Sequence, residues 1–494
     1  METPQTSEIL ATRRNARRAA RVFLTSNCVY LLVVYVWSLG LGPVGADHVL
    51  LGGADSPAVV RVLYALLGGF HLGYQVVNLL LLYGCMAAVF FLTNALVRGP
   101  VWMGSLAMAL LMAHPVKSDA VLPLTSTPLL GANLLVLAGM ACYAAHTRCG
   151  GTVLYALAVA LFVPSLCVPA MAGAALVPLV IEFVALPREA RRCWRPTPFF
   201  ALAVVNAIVH THHFDAAGMF APLAVIGYPI GFLPETAAGL SEQPLLGWVA
   251  GGAVVVVLGG LAWALRSRAF VFALLAMALV RLGNGGQFVD PYHLLGGGQL
   301  FLSIAMANIA FAAFCRRVIQ HPKWHRPIVV MTTVLCLVFF GMQIRTIFAW
   351  RHAAGIVERA QAAAKEVLRE TPDATFGLLP AYRAYEGAPV MLEEAIGAQV
   401  GEDRVRPLLR VHVPKAGVDA AVVTAYESKH AVVRLENVRP LAVLPWPYTL
   451  EAAAGEDTEV SPLPGGEEEG GVRVRVTPAT GVFPPHVLPP SAFD

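Results

Sequence analysis

Charge is what this sequence has least of. Of its 494 residues only 13% are Asp, Glu, Lys or Arg, while 57% are hydrophobic. A soluble domain carries about a quarter charged residues, so this scarcity excludes an ordinary soluble enzyme. There is no C-x-x-C pair, which argues against a thiolate metal centre or a redox dithiol. The eight cysteines are Cys28, Cys85, Cys142, Cys149, Cys167, Cys193, Cys315 and Cys336. None follows Cys336, so no disulfide framework is implied for the C-terminal part. No internal repeat is visible, and in particular no helical-hairpin array. No nucleic-acid partner is expected.

Long apolar runs, in contrast, are abundant. They recur from Val22 to Ile344, each about long enough to cross ~30 Å of hydrocarbon. The expected spans are 22–41, 75–97, 100–114, 128–146, 152–166, 168–186, 197–213, 246–265, 269–287, 298–314 and 326–344, about eleven crossings. Basic residues then fall at alternate ends. Arg13, Arg14, Arg17, Arg18 and Arg21 precede the first span. Arg98, Arg148, Arg188 to Arg195, Arg266, Arg268, and Arg316 to Arg326 follow later ones. The positive-inside rule makes that side cytoplasmic. It places the loops at 42–74, 115–127, 214–245 and 288–297, and everything after Arg345, on the exported side. The N-terminal run is followed by Val44, Gly45 and Ala46, which resemble a cleavage site. At about 20 residues the run is longer than a cleaved signal, and an uncleaved anchor is expected.

Three regions follow: a basic cytoplasmic segment 1–21, a transmembrane domain 22–344 and an exported unit 345–494. In the last, His352 to Glu370 has a helical apolar period that ends before Pro372. Short β-type runs follow at Leu409–Val413, Ala420–Thr424, Val432–Leu435 and Val472–Val476. Gly455 to Gly471 reads as an acidic, solvated loop, and Val482 to Asp494 as a Pro-rich extended tail. The fold class expected is an α-helical polytopic membrane protein with a small C-terminal exported α+β module.

The most informative stretch is Gly73 to Tyr143. Two apolar spans flank a polar knot, His114-Pro115-Val116-Lys117-Ser118-Asp119, and ionisable groups at a membrane boundary point to function. Gly73-Tyr74-Gln75-Val76-Val77-Asn78-Leu79-Leu80-Leu81-Leu82 resembles the G-Y-H-x-x-N-L-L-L-H segment of a group of GT-C membrane glycosyltransferases. That group comprises the transmembrane and tetratricopeptide-repeat O-mannosyltransferases and their bacterial relatives. His114 to Val121 resembles its H-P-x-H-x-E-A-V at a similar distance from Asn78. Weaker likenesses are Leu176 to Ile181 to V-x-P-L-x-L, Asp290 to Leu295 to E-R-Y-L-Y-L, and Leu378 to Arg383 with Gly387 to a segment of bacterial members. The likeness is strong over 61–145.

The resemblance implies a GT-C-like helical bundle in a bacterial inner membrane, with an active site on the exported face. It also implies a polyprenyl-phosphate-linked sugar as donor. Sugar transfer needs a carboxylate to deprotonate the acceptor and positive charge to balance the lipid phosphate. A divalent cation could serve the latter, but the sequence assigns no ligands to one. In such enzymes the base lies in the first exported loop, which here makes Asp47 the catalytic candidate, with His48 and Asp55 nearby. Asp119, His114, Lys117, Arg61, Arg281 and Asn78 are the donor-binding candidates.

Departures from the motifs are as informative. One of two adjacent acids becomes Ala46, both histidines of the first motif become Gln75 and Leu82, and the second histidine of H-P-x-H becomes Lys117. The segment Thr125 to Leu130 lacks the group's Arg and acid, Leu166-Cys167 stands for its K-E, and Pro291 replaces the Arg of E-R-Y. Bland alternatives also stand. Asp47 as a solvated acid, Asp119 as a helix cap, His114-Pro115 as a span terminator, Arg281 snorkelling, and Asn78 as an inter-helix hydrogen bond all fit the sequence. His210, His212, His213 and Asp215 read as an interfacial polar cluster or, less readily, a metal site. Three functions remain open: an active transferase, an inactive scaffold or complex subunit whose exported unit binds a protein partner, and a lipid-linked-glycan transporter or lipid-handling protein.

Overall fold

The computed structural model describes residues 4–44, 47–51, 56–165, 171, 173–210, 256–280, 300–378, 381–385, 388–407, 409–413, 420–427, 430–436, 449–452, 456–462, 472–478 and 486–488. The transmembrane part is helical. Five helical segments among the described residues are long and apolar enough to cross a membrane: Arg18–Ser38, His71–Val97, Leu124–Cys149, Phe301–Ile319 and Pro322–Glu370. Large apolar side chains point outward from them, among them Leu32 at 55%, Leu80 at 66% and Leu337 at 64% exposure. Apolar surface of this extent on long helices suits lipid, not water. Seven shorter apolar helices of 10–17 residues accompany them: Ala58–Leu67, Trp102–Ala113, Thr152–Pro164, Gly173–Ala185, Thr197–Val209, Val256–Leu265 and Arg268–Leu279.

The helices close on one another where a side chain is missing. A Cβ on Gly104 would sit 2.8 Å from the Phe90 carbonyl, and one on Gly139 2.7 Å from the Phe162 ring. Glycine at these crossings lets backbones approach without side-chain clash. The turn between His71–Val97 and Trp102–Ala113 is made by Arg98, which is left-handed at φ 52°, followed by Gly99 and Pro100. The core runs from Val34 and Tyr35 through Leu82, Phe90 and Leu111 to Tyr143, Phe272, Phe301 and Trp350.

The structure departs from the expected layout in three places. The 42–74 loop contains helices at Asp47–Leu50 and Ala58–Leu67. Trp102–Ala113 has 12 residues, about 18 Å at 1.5 Å per residue, which alone is less than a bilayer core. The expected end of the last span at Ile344 is not a break. His325–Glu370 is one helix of 46 residues, about 69 Å long. No Pro interrupts it between Pro327 and Pro372, and Trp350, Ala353, Val357, Ala360 and Ala364 keep one buried stripe beyond Arg345.

Beyond Glu370 the described backbone forms short paired strands and the Leu392–Val400 helix. Phe376–Leu378 lies between His486–Leu488 and Val405–Pro407, parallel to both. Val472–Pro478 pairs antiparallel with Glu456–Pro462 and with His430–Glu436, so part of the acidic 455–471 stretch is strand rather than loop.

Candidate functional site

The segment 115–127 is the centre of the site. It is irregular, with short 3₁₀ turns at Pro115–Ala120 and Leu124–Ser126. Most of its residues are buried. Irregular backbone buried in a membrane protein must find partners for its N–H and C=O groups inside the protein. Three polar side chains from elsewhere supply them.

Asp47 provides the acceptors. It is fully buried. Its Oδ2 accepts the amides of Val44 at 3.2 Å and Leu124 at 2.9 Å. Its Oδ1 accepts the Thr125 amide at 2.9 Å and the Thr125 hydroxyl at 2.6 Å. A carboxylate has about four lone-pair sites, and all are occupied. Burial pushes the Asp47 carboxyl above its ordinary range, opposed by the Thr125 hydroxyl and the three amides.

Asn78 and Gln75 provide the donors. Asn78 Nδ2 donates to the carbonyls of Val121 at 3.3 Å and Pro123 at 2.8 Å, and to Ser126 Oγ at 3.0 Å. Its Oδ1 accepts the Thr127 hydroxyl at 2.8 Å. Gln75 Nε2 donates to Leu122 O at 2.8 Å. Gln75 thus supplies a further donor to this backbone.

A fourth residue, Gln343 in the middle of the long helix, bonds the segment's side chains. Its Oε1 accepts from Lys117 Nζ at 3.3 Å and lies 3.4 Å from Ser118 Oγ, which also meets Gln343 Nε2 at 3.2 Å. Lys117 is fully buried, donates to His114 O at 3.1 Å, and lies 5.3 Å from the Tyr35 ring centre. No carboxylate pairs with it among the described residues. Burial pushes its amine well below the ordinary lysine range. Its Nζ is turned to the His114 carbonyl and Gln343 inside the protein, not to an open surface where a phosphate could meet it.

The remaining candidates divide. His114 is buried edge-on against Phe339 at 4.9 Å between ring centres. Asp119 is half-buried on the same segment, and Arg61 is exposed on the Ala58–Leu67 helix. Arg281, Asp55, His212, His213, Asp215 and Asp290 to Leu295 lie outside the described residues, as does the side chain of His210. Among the described residues no cluster of three or more His, Cys, Asp or Glu could hold a metal. The site therefore brings Asp47, Asn78, His114, Lys117 and Asp119 to one segment, but its chemistry is mostly directed inward.

Glu182, like Gln343, has no motif to mark it in the sequence. Glu182, fully buried in the π-helical turn Ile181–Ala185, accepts from the Tyr143 hydroxyl at 2.9 Å and the Arg192 amide, and lies 3.6 Å from Arg195. Its signal was a lone acid in an apolar run, a few residues before a basic cluster.

Comparison with known proteins finds no matching family model and no match among curated proteins.

Proposed function

We propose that this chain is a GT-C-like membrane scaffold that does not itself transfer sugar. In this reading it crosses a bacterial inner membrane about eleven times, with its arginine-rich ends in the cytoplasm. The exported α+β module, 345–494, holds a protein partner. The observation that carries the proposal is the Asp47 carboxylate. A general base needs a free lone pair within reach of the acceptor's proton, and all four Asp47 positions already serve the protein's own backbone and Thr125. The neutral surroundings of Lys117 and the replaced motif residues support the same reading.

A second reading has its own support. Asp119 is half-buried on the segment that Asp47 pins, and Arg61 is exposed. A transferase using a polyprenyl-phosphate sugar could rely on these in place of Asp47 and Lys117.

Transfer from a radiolabelled polyprenyl-phosphate sugar to endogenous acceptors separates the two. Membranes with and without the full chain should transfer equally, while the full chain, but not one lacking 372–494, retains a stoichiometric partner on purification. Chain-dependent transfer that is lost in Asp119→Asn would establish the enzyme.

A further inference from the structure

The arginine-rich end of the bundle carries a second, separate feature. A cavity of about 620 Å³ opens between the Val256–Leu265 helix, the end of Phe301–Ile319 and the start of the long helix. Leu265, Phe314, Ile328 and Met331 form apolar walls, with Arg317 and His321 as polar groups. The wall continues outward as a stripe. Pro327, Met331, Val334 and Val338 recur at helical spacing, and the last three are 41%, 53% and 43% exposed. Trp324 lines the cavity and is 56% exposed, the amphipathic ring expected at headgroup level.

Arg317 is the arginine that lines this cavity, and further arginines gather at the same end of the bundle. Arg317 donates Nη2 to Arg266 O at 3.1 Å and Nη1 to Gln320 Oε1 at 3.3 Å, leaving about three of its five N–H groups for a ligand. Arg316 caps the Val97 carbonyl, and Arg148 caps Asn94 O at 3.1 Å. Both are within electrostatic reach of Arg98. No carboxylate pairs with Arg98, Arg148, Arg266, Arg316 or Arg317 among the described residues.

We infer that this cavity binds an anionic phospholipid, its phosphate on Arg317 and one acyl chain along the Met331, Val334 and Val338 stripe. A basic site between helices at the membrane surface is suited to an anionic headgroup, and the adjoining apolar stripe favours a lipid over a free anion. The site is independent of the 115–127 segment and of the proposed function.

Thermal unfolding and native mass spectrometry of the full chain in detergent test this. The probes are phosphatidylglycerol, phosphatidylcholine of the same acyl chains, and inorganic phosphate. Phosphatidylglycerol should raise the midpoint and remain bound, while the other two should not. Arg317→Gln should weaken phosphatidylglycerol binding about fivefold, the worth of one arginine near ~1 kcal/mol. Ala264→Trp fills the cavity without touching a charge and should also remove the effect, so the test survives if Arg317→Gln misfolds. Equal binding of both lipids, protection by inorganic phosphate alone, or full phosphatidylglycerol binding by Ala264→Trp would overturn the inference.

Discussion

Thr125 and Asp47, 78 residues apart in the chain, are joined twice: the Thr125 amide and hydroxyl both donate to Asp47 Oδ1, at 2.9 and 2.6 Å. The first loop and the 115–127 segment are therefore one structural unit. Asp47 supplies acceptors to the segment's amides, while Asn78 and Gln75 supply donors to its carbonyls.

Asn78 should be the more sensitive of the two donors. Asn78→Asp places a carboxylate against the Val121 and Pro123 carbonyls, and Asn78→Ala takes the Asn78 partner from the Val121 carbonyl and the Thr127 hydroxyl, while Pro123 O keeps the Ser126 hydroxyl and amide. Each unsatisfied buried group costs about 1–3 kcal/mol. Hydrogen exchange should speed up at the amides of Val121 and Leu122, which bond Ser118 O at 3.0 and 2.8 Å. The effect should be larger for Asp than for Ala.

The sequence pointed to much of this. Asp47, Asn78 and the His114 to Asp119 knot stood out because polar groups among long apolar runs are costly and must be used. Their use was not legible. Asp47 and Asn78 bond backbone groups across loops, and backbone amides carry no residue-specific signature. Gln343 was passed over because one amide inside a span looks like any inter-helix contact, until Lys117 and Ser118 are placed beside it. The continuity past Arg345 is not legible because a basic residue at the end of an apolar run reads as a membrane boundary, whereas the helix itself continues to Glu370, just before Pro372.

Lys117 should make stability rise with alkaline pH. Its folded amine titrates below the ordinary lysine range because of burial, so the unfolded chain binds more protons than the folded one between the folded value and about 10.4. Stability rises with pH wherever the unfolded state holds the extra proton. Unfolding midpoints from pH 7 to 10 should climb in the wild type. Lys117→Met keeps the volume, removes the group and should flatten that slope.

His48 should act on the acid limb. Burial, and to a smaller extent the charge of His71, lowers its ring to about 4, below the usual ~6.5. The unfolded chain is then protonated first, and stability is lost as pH falls from about 6.5 to about 4. His48→Gln should shallow this loss, as read by unfolding midpoints across the same range.

Glu182 should be structural. Glu182→Ala leaves Arg195 and the Tyr143 hydroxyl without their partner. Removing one member of a buried ion pair costs about 3–5 kcal/mol, and the partial exposure of Arg195, 18%, puts the expected loss at the lower end. Thermal unfolding of the purified chain checks this.

The unfolding midpoint of Asp47→Asn tests the central claim most directly. The side chain is nearly isosteric, but an amide accepts through one oxygen only. Whichever way it turns, two of the four donors from Val44, Leu124 and Thr125 face an N–H₂ group, at about 1–3 kcal/mol each. If Asp47 holds the 115–127 segment, the midpoint of Asp47→Asn falls by several degrees and hydrogen exchange at Leu124 and Thr125 accelerates. An unchanged midpoint together with lost sugar transfer would show instead that the carboxylate acts on a substrate.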